Sequence, residues 1–503
     1  MLKHLLLFLF LCSFTYTYCQ NRNSVWCFGD SAGIDFSNPN NPLPIFTSLR
    51  TRGSCVSISD TVGNLLFYGN TRVTLAGNTT LVWNKQHNLM VSGDSIVGRG
   101  WYKELTVTPV PYNPDLYYLF SAGVSSINGF FYSVIDMTRD SGRGMVVQKN
   151  VQLQGSNFWA NDGVAAVKHG NGRDWWVMVR DWSNVNNTFF FYLVTPFGVI
   201  LNHTQNIGDV VQSGFFRIEP SIDGRKIACV SNNGLLCVYD FNRCSGMLGN
   251  ELSIEHEVTN PNLAPWYWDC ELSPSSSLLY VSKANSSQTD SISYVFQYEL
   301  NYSNPSLTRD TIFAINKPIT GGLLELAPDN KIYWSCWYSP PFTFYYPYPD
   351  SVRNIYNENL SVINYPDSVG TVCNFQHFSF YLGGKRTYIG LPNNPNYELP
   401  KDSGSICDTL TVGMQEIEIQ NSALLVFYYP QWQKAFINAQ KLKGKNYLLA
   451  VYDLLGNLIV NEQGKLKSEY YTKDLNMQTF SSGLYIVSLT TEKEKLVKKF
   501  IKQ

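Results

Sequence analysis

Pro220, Pro274 and Pro328 stand 54 residues apart, and the residues around them repeat. Phe216-Arg217-Ile218-Glu219-Pro220 precedes Asp223-Gly224 and an apolar run at 226–230. Cys270-Glu271-Leu272-Ser273-Pro274 precedes three serines and a run at 278–281. Leu324-Glu325-Leu326-Ala327-Pro328 precedes Asp329-Asn330 and a run at 331–334. Each unit reads strand, proline-containing turn, strand. Proline pre-sets φ while Asp, Asn, Gly or Ser tolerate or cap the bend, so the spacing predicts tight hairpins. A further strand follows the first two units at 235–239 and 293–298. Weaker copies lie upstream, turning at 170–172, 111–114 and 63–64. Periods of about 40–50 residues with three or four short strands each predict a β-propeller of WD40-like repeats. Residues 20–400 hold about seven such units, with a six-bladed ring as the alternative. The seventh blade is expected to join 374–381 and 387–391 to an N-terminal strand at 25–36, closing the ring and removing exposed edges.

Composition agrees with an exported all-β chain. Hydrophobic residues make up 44 % of 503, enough for a large core and too many for a disordered chain. Charged residues are only 15 %, with aromatics equally frequent. The net charge of −1 gives no electrostatic footprint for a nucleic-acid partner. Residues 1–19 read as a secretory signal peptide. Lys3 and His4 form a basic start, residues 5–12 are an apolar run too short to span a bilayer, and Thr17 and Cys19 sit at −3 and −1 of a cut before Gln20. Leu11 and Tyr18, each before a cysteine, argue against a lipoprotein site. No later stretch reaches 18 uncharged apolar residues, so no transmembrane helix is expected after signal removal.

Of 11 cysteines, nine remain beyond the signal, so at least one is unpaired within the chain. Export permits disulfides, and Cys229, Cys237, Cys244 and Cys270 are close enough in sequence for one or two bridges. No CxxC occurs and the histidines lack paired spacing, so no metal site and no cofactor are expected.

The C-terminal part differs. Residues 401–412 read as a linker, and beyond Pro400 there are 13 Lys and no Arg. Alternating strands are expected at 417–419, 424–429, 447–452, 484–489 and 496–501, with a turn at 453–457. This predicts a small β-sandwich over 413–503. The run Ala450-Val451-Tyr452-Asp453-Leu454-Leu455-Gly456-Asn457, then Ser482-Gly483-Leu484-Tyr485, then Lys498-Lys499-Phe500-Ile501, resembles the type A C-terminal sorting domain of the type IX, or Por, secretion system. Asp453, Gly456, Gly483, Tyr485, Lys498 and Lys499 carry that resemblance. The family's opening Asn-Pro pair is reduced here to Pro430. The resemblance implies the type IX secretion machinery as partner, and a product released or held at the outer cell surface. The preceding region is similar to the propeller-like N-terminal regions of such chains, through Trp26-Cys27-Phe28-Gly29, Ser57-Ile58-Ser59-Asp60 and Gly390-Leu391-Pro392-Asn393. No catalytic residue follows from that likeness.

Motifs for chemistry are few. Phe28-Gly29-Asp30-Ser31 resembles the nucleophile block of GDSL-type esterases, but no histidine has an aspartate three residues before it, and that family's α/β fold contradicts the strand pattern. Phe216-Arg217-Ile218-Glu219-Pro220 resembles the arginine-bearing block of sialidases, yet the proline repeat places Arg217 level with Glu271 and Glu325 and makes it a blade position. Glu219, Asp269, Glu271 and Glu325 are expected at equivalent strand starts. If they face a central channel they form an acidic ring able to bind a cation or a sugar. Residues 339–350, with Phe342, Phe344, Tyr345, Tyr346 and Tyr348, are too proline-rich for a central strand and read as an exposed contact loop. The leading expectation is a secreted or cell-surface propeller that binds an extracellular protein or glycan without catalysis. The alternative is a carbohydrate-active hydrolase or lyase on the same scaffold. A receptor ectodomain, allowed by sequons such as Asn78-Thr79-Thr80, is the third reading.

Overall fold

The computed structural model describes residues 21–72, 79–124, 128–183, 186–211, 213–256, 258, 260, 264–285, 291–339, 346–408, 422–429, 433–466 and 469–502. The signal segment and the strand expected at 417–419 lie outside them. The architecture is all-β and propeller-like. Among the described residues, seven antiparallel meander sheets follow one another between Val25 and Tyr381. The first two have three strands and the next five have four.

The first strands of successive sheets pack against one another and lie innermost. These strands are Val25–Phe28, Cys55–Ser59, Leu105–Val110, Ala165–Lys168, Phe216–Pro220, Trp266–Leu272 and Ile319–Leu326. Outer strands such as Met247–Glu255 alternate between burial and exposure, as a half-solvated edge should. The three strongest repeats fold as the prolines predict. Gly224, Ser276 and Asn330 close the turns at positive φ, their amides donating to Ser221, Ser273 and Ala327 carbonyls at 2.8, 2.8 and 2.9 Å. Pro274 and Pro328 follow the first turn residue, whereas Pro220 precedes it. Counting from the turn, Glu219 is therefore level with Glu271 and Glu325. The alignment by prolines, which put Arg217 there, is two residues out of step. The three glutamates also lie near the ends of their strands, not the starts.

The N-terminal strands do not complete the last sheet. They form a sheet of their own, and Phe375–Tyr381 is the outer strand of the seventh. Trp26 of the first sheet packs edge-on against Tyr333 of the seventh, with centroids 5.8 Å apart. Residues 386–397 then run as a strap across the inner strands instead of pairing as a ladder. Arg386 bridges to Asp30 and Pro392 to Cys55, Leu323 donates its amide to Ile389, and Asn393 donates to the carbonyls of Leu105 and Val164, both at 2.7 Å.

Residues 401–408 are fastened to the fifth sheet. Cys407 forms a disulfide with Cys244, and Arg225 pairs with Asp402 at 2.9 Å. Of the four cysteines close enough in sequence to bridge one another, Cys244 instead pairs with Cys407, 163 residues on, because the chain returns to the Cys244 turn only after the last sheet. Seven other cysteines, Cys229, Cys237 and Cys270 among them, are buried as free thiols. The C-terminal unit stacks two sheets. Ala423–Tyr429, Lys434–Gln440 and Tyr471–Asn476 form one, and Leu458–Lys465, Asn446–Tyr452, Gly483–Thr491 and Lys495–Lys502 form the other. Ile437, Val451, Val487 and Leu489 fill the space between.

A Cβ added to Gly390 would meet the Gly53 carbonyl oxygen at 1.9 Å, a contact with backbone on both sides. Gly390→Ala is expected to cost about 3 kcal/mol by forcing the strap off the inner strands, read as a lowered urea midpoint at unchanged m-value.

Candidate functional site

The inner strands present one free edge to the neighbouring sheets' inner strands, and amides on that edge need acceptors. Carboxylates from the neighbouring sheet supply them. Asp269 accepts from the Leu324 amide at 3.0 Å, and Glu271 accepts from Leu272 and Leu326, both at 2.8 Å. The alternation of the strand puts Asp269 and Glu271 on one face, two residues apart. Glu219 and Glu325 arrive from the fifth and seventh sheets at the level of Glu271. Carboxylate oxygens of these three lie within 4.8 Å of one another.

Lys103, just before the third sheet, is fully buried and enters this group. Its Nζ lies 2.5 Å from Glu219 Oε2, 3.5 Å from Glu325 Oε2 and 3.6 Å from Asp269 Oδ2. The surrounding carboxylates hold its pKa well above the usual lysine value against the desolvation that would lower it, so it stays charged. One ammonium cannot neutralise four acids. Burial first, then mutual repulsion, raises the Glu271 carboxyl well above the usual range, and burial with incomplete compensation by Lys103 raises that of Glu325. Arg217, which the sequence set apart as a blade position, is buried with Nη1 2.5 Å from Asp162, and its guanidinium lies over the Phe215 ring at 4.0 Å. Tyr102, Phe215 and Trp268 pack together beside it, toward the beginnings of the inner strands.

On the other side the glutamates border a cavity of about 310 Å³. Asn23, Asn393, Asn394 and Asn396 line it together with Ser24, Phe36 and Tyr397. The amides are held rigidly. Asn394 donates to Asn23 at 2.7 Å and accepts from the Ser57 amide at 3.0 Å, while Asn396 donates to the Ile222 carbonyl at 2.7 Å. The arrangement offers hydrogen-bond acceptors and donors around a small volume with one aromatic wall. Glu219, Glu271 and Glu325 have the donor set for a cation, but Lys103 already supplies a positive charge between two of them.

The structure brings Glu219, Glu271, Glu325 and Asp269 together. Of the aromatic loop, the described Tyr346 and Tyr348 make their contacts elsewhere. Phe342, Phe344 and Tyr345 lie outside the described residues. Tyr346 donates to the Arg50 carbonyl at 3.2 Å, and Tyr348 is buried, stacked on Tyr388 at 4.2 Å. Asp30 of the esterase-like block is tied to Arg386 at 2.9 Å. Lys103, Asn394 and Asn396 were not singled out from the sequence, and Asn393 entered only as part of a family likeness. Lys103 carries no motif, and only the polar run Asn393-Asn394-Pro395-Asn396 marks the strap.

In the C-terminal unit, Asp453 caps its turn by accepting from the Asn457 amide at 2.8 Å, with Gly456 at positive φ. Gly483 opens the next strand. Tyr485 is buried against Phe500, while Lys498 and Lys499 point to solvent. Residues 428–503 match the family of secretion system C-terminal sorting domains. The chain carries a Por-type sorting tail. The tail indicates export through the type IX system, and among the described residues no helix is long and apolar enough to cross a membrane. No curated protein matches the chain. Solved structures similar to it include a Bacteroides uniformis protein provisionally described as a 6-phosphogluconolactonase (14 % identity, TM-score 0.42, covering 68 % of this chain and 92 % of that one). The β-propeller domain of Myceliophteria thermophila Cps50 (Swd1) follows at 10 % and 0.32, covering 57 % and 94 %. A quinonprotein alcohol dehydrogenase-like protein of Bacteroides thetaiotaomicron has 10 % and 0.32, covering 73 % and 75 %.

Lys103→Met removes the cation and leaves the carboxylates facing one another. A destabilisation of about 3–5 kcal/mol is expected at pH 7. Protonation relieves the repulsion, so the deficit shrinks at pH 5. Urea unfolding of both proteins at the two pH values checks it.

Proposed function

We propose that the chain is an exported seven-bladed β-propeller that binds a glycan at the cavity floored by Glu219, Glu271 and Glu325, with the sorting tail as its address. In this reading residues 1–19 are the signal peptide, 20–400 the propeller, 401–412 the linker and 413–503 the sorting domain, and the product is secreted or held at the outer cell surface. The closed ring is supported by the packing of Trp26 on Tyr333 and by the strap that crosses from the seventh sheet to the first four.

The observation that carries the binding reading is the convergence of fixed amides and carboxylates on one small cavity. Sugar hydroxyls both donate and accept, so they match asparagine amides paired with carboxylates, and Phe36 offers an apolar wall. The state of the carboxylates favours recognition over hydrolysis. Glycoside cleavage needs two acids free to exchange a proton or to attack. Here Glu271 has both oxygens on backbone amides, and Glu219 and Glu325 hold Lys103.

An array of polysaccharides and peptides, read for both capture and turnover, tests this. Capture of a glycan without turnover is expected, with at least tenfold weaker binding by the Glu271→Gln/Glu325→Gln variant. Turnover that is lost in that variant would instead establish the hydrolase or lyase, and unchanged capture would remove the cavity from the account.

A further inference from the structure

The strand Lys434–Gln440 of the sorting tail has two faces, and both are covered. Ala435, Ile437 and Ala439 point into the tail's own core. Phe436, Asn438 and Gln440 alternate with them and so face outward. An outer face of a small sandwich should be wet. Yet Phe436 is 7 % exposed and Asn438 and Gln440 are each 3 % exposed.

The propeller covers that face. Asn113, which opens the second strand of the third sheet, donates to Gln440 Oε1 at 3.1 Å. Asn438 donates to the Pro196 carbonyl at 3.3 Å, in the turn between the outer strands of the fourth sheet. Tyr470 donates to Asp136 Oδ2 at 2.8 Å, and Arg139 pairs with Glu469. Tyr132 and Phe197 of the propeller border the same cleft as Phe436. The contact has the make-up of a protein interface, with a buried aromatic centre, matched buried amides and an ion pair at the rim. Opposite it, the tail's second sheet turns Leu448, Val497 and Ile501 to solvent together with Lys498 and Lys499.

We propose that the propeller recognises the sorting tail as a docked partner, through the Phe436-Asn438-Gln440 row, and retains it when the chain joining them is cut. The docking leaves the lysine-bearing second sheet open to other proteins. The tail's position is set by this surface and not by the length of the connection. Residue 407 is the last covalent anchor on the propeller side, because its disulfide runs to Cys244. A cut after it leaves the surface contacts alone.

The full chain with a protease recognition sequence placed within 409–421 tests this. After cleavage the two fragments are expected to elute together in size-exclusion chromatography. In the Phe436→Asp/Asn438→Asp variant they are expected to separate, while the uncut variant elutes as the uncut parent does. Separation of the unmodified fragments overturns the proposal, and so does co-elution of the variant fragments. If the charged variant does not fold, Gln440→Ala/Tyr470→Phe takes its place. At least tenfold faster release of the tail on dilution is then expected, and unchanged release overturns the proposal.

Discussion

A fully buried lysine ammonium among four carboxylates is the constraint around which the propeller-like part is organised. Lys103 comes from the approach to the third sheet, Glu219 from the fifth, Asp269 and Glu271 from the sixth and Glu325 from the seventh. No apolar contact could do the same work there. The inner edges of the strands carry amides that face the neighbouring sheets' inner strands, and those amides require acceptors. Carboxylates satisfy them but bring negative charge into a dry interior, which in turn requires a cation. Asp269 and Glu271 show the first half of the arrangement, holding the Leu324 and Leu326 amides. Lys103 is the second half. The cluster thus links sheets far apart in sequence and builds the floor of a cavity to which the strap adds its asparagines.

The hairpins were legible because proline, glycine and asparagine leave local marks, and those marks are read over a few residues. Their exact alignment was not. Pro274 and Pro328 sit inside their turns while Pro220 ends its strand, so equal spacing of prolines hid a two-residue offset. The turn hydrogen bonds put Glu219, and not Arg217, level with Glu271 and Glu325. That Glu219, Glu271 and Glu325 hold equivalent strand positions was legible, though they were expected at strand starts and lie near strand ends. Lys103 was not, because its partners lie 116 and 222 residues away and nothing local distinguishes it. The Cys244–Cys407 bridge escaped for the same reason. Residues 387–391 were expected as a strand of the last blade, but within the strap at 386–397 they make scattered bonds to several sheets instead of a ladder to one.

The tail illustrates how a period of two carries information about neighbours. Its sorting motif was readable from Asp453, Gly456, Gly483 and Tyr485, each with a local structural task. The strand Lys434–Gln440 was not anticipated, and its outward row is polar enough to pass for a solvated face. Burial of that row is visible only when the propeller is beside it. Fastening of residues 401–408 by the disulfide and by Arg225 then places the start of the connection on the fifth sheet, so both ends of the tail's attachment are defined by the propeller surface.

The central claim is that the carboxylate-floored cavity is where an exported propeller meets its ligand. A crystal structure of the full chain with the strongest-binding glycan tests it most directly. The account predicts sugar density against Glu219, Glu271, Glu325 and the strap asparagines, with Lys103 unmoved beneath them. Density seated elsewhere on the propeller, with this cavity filled only by water, would contradict it.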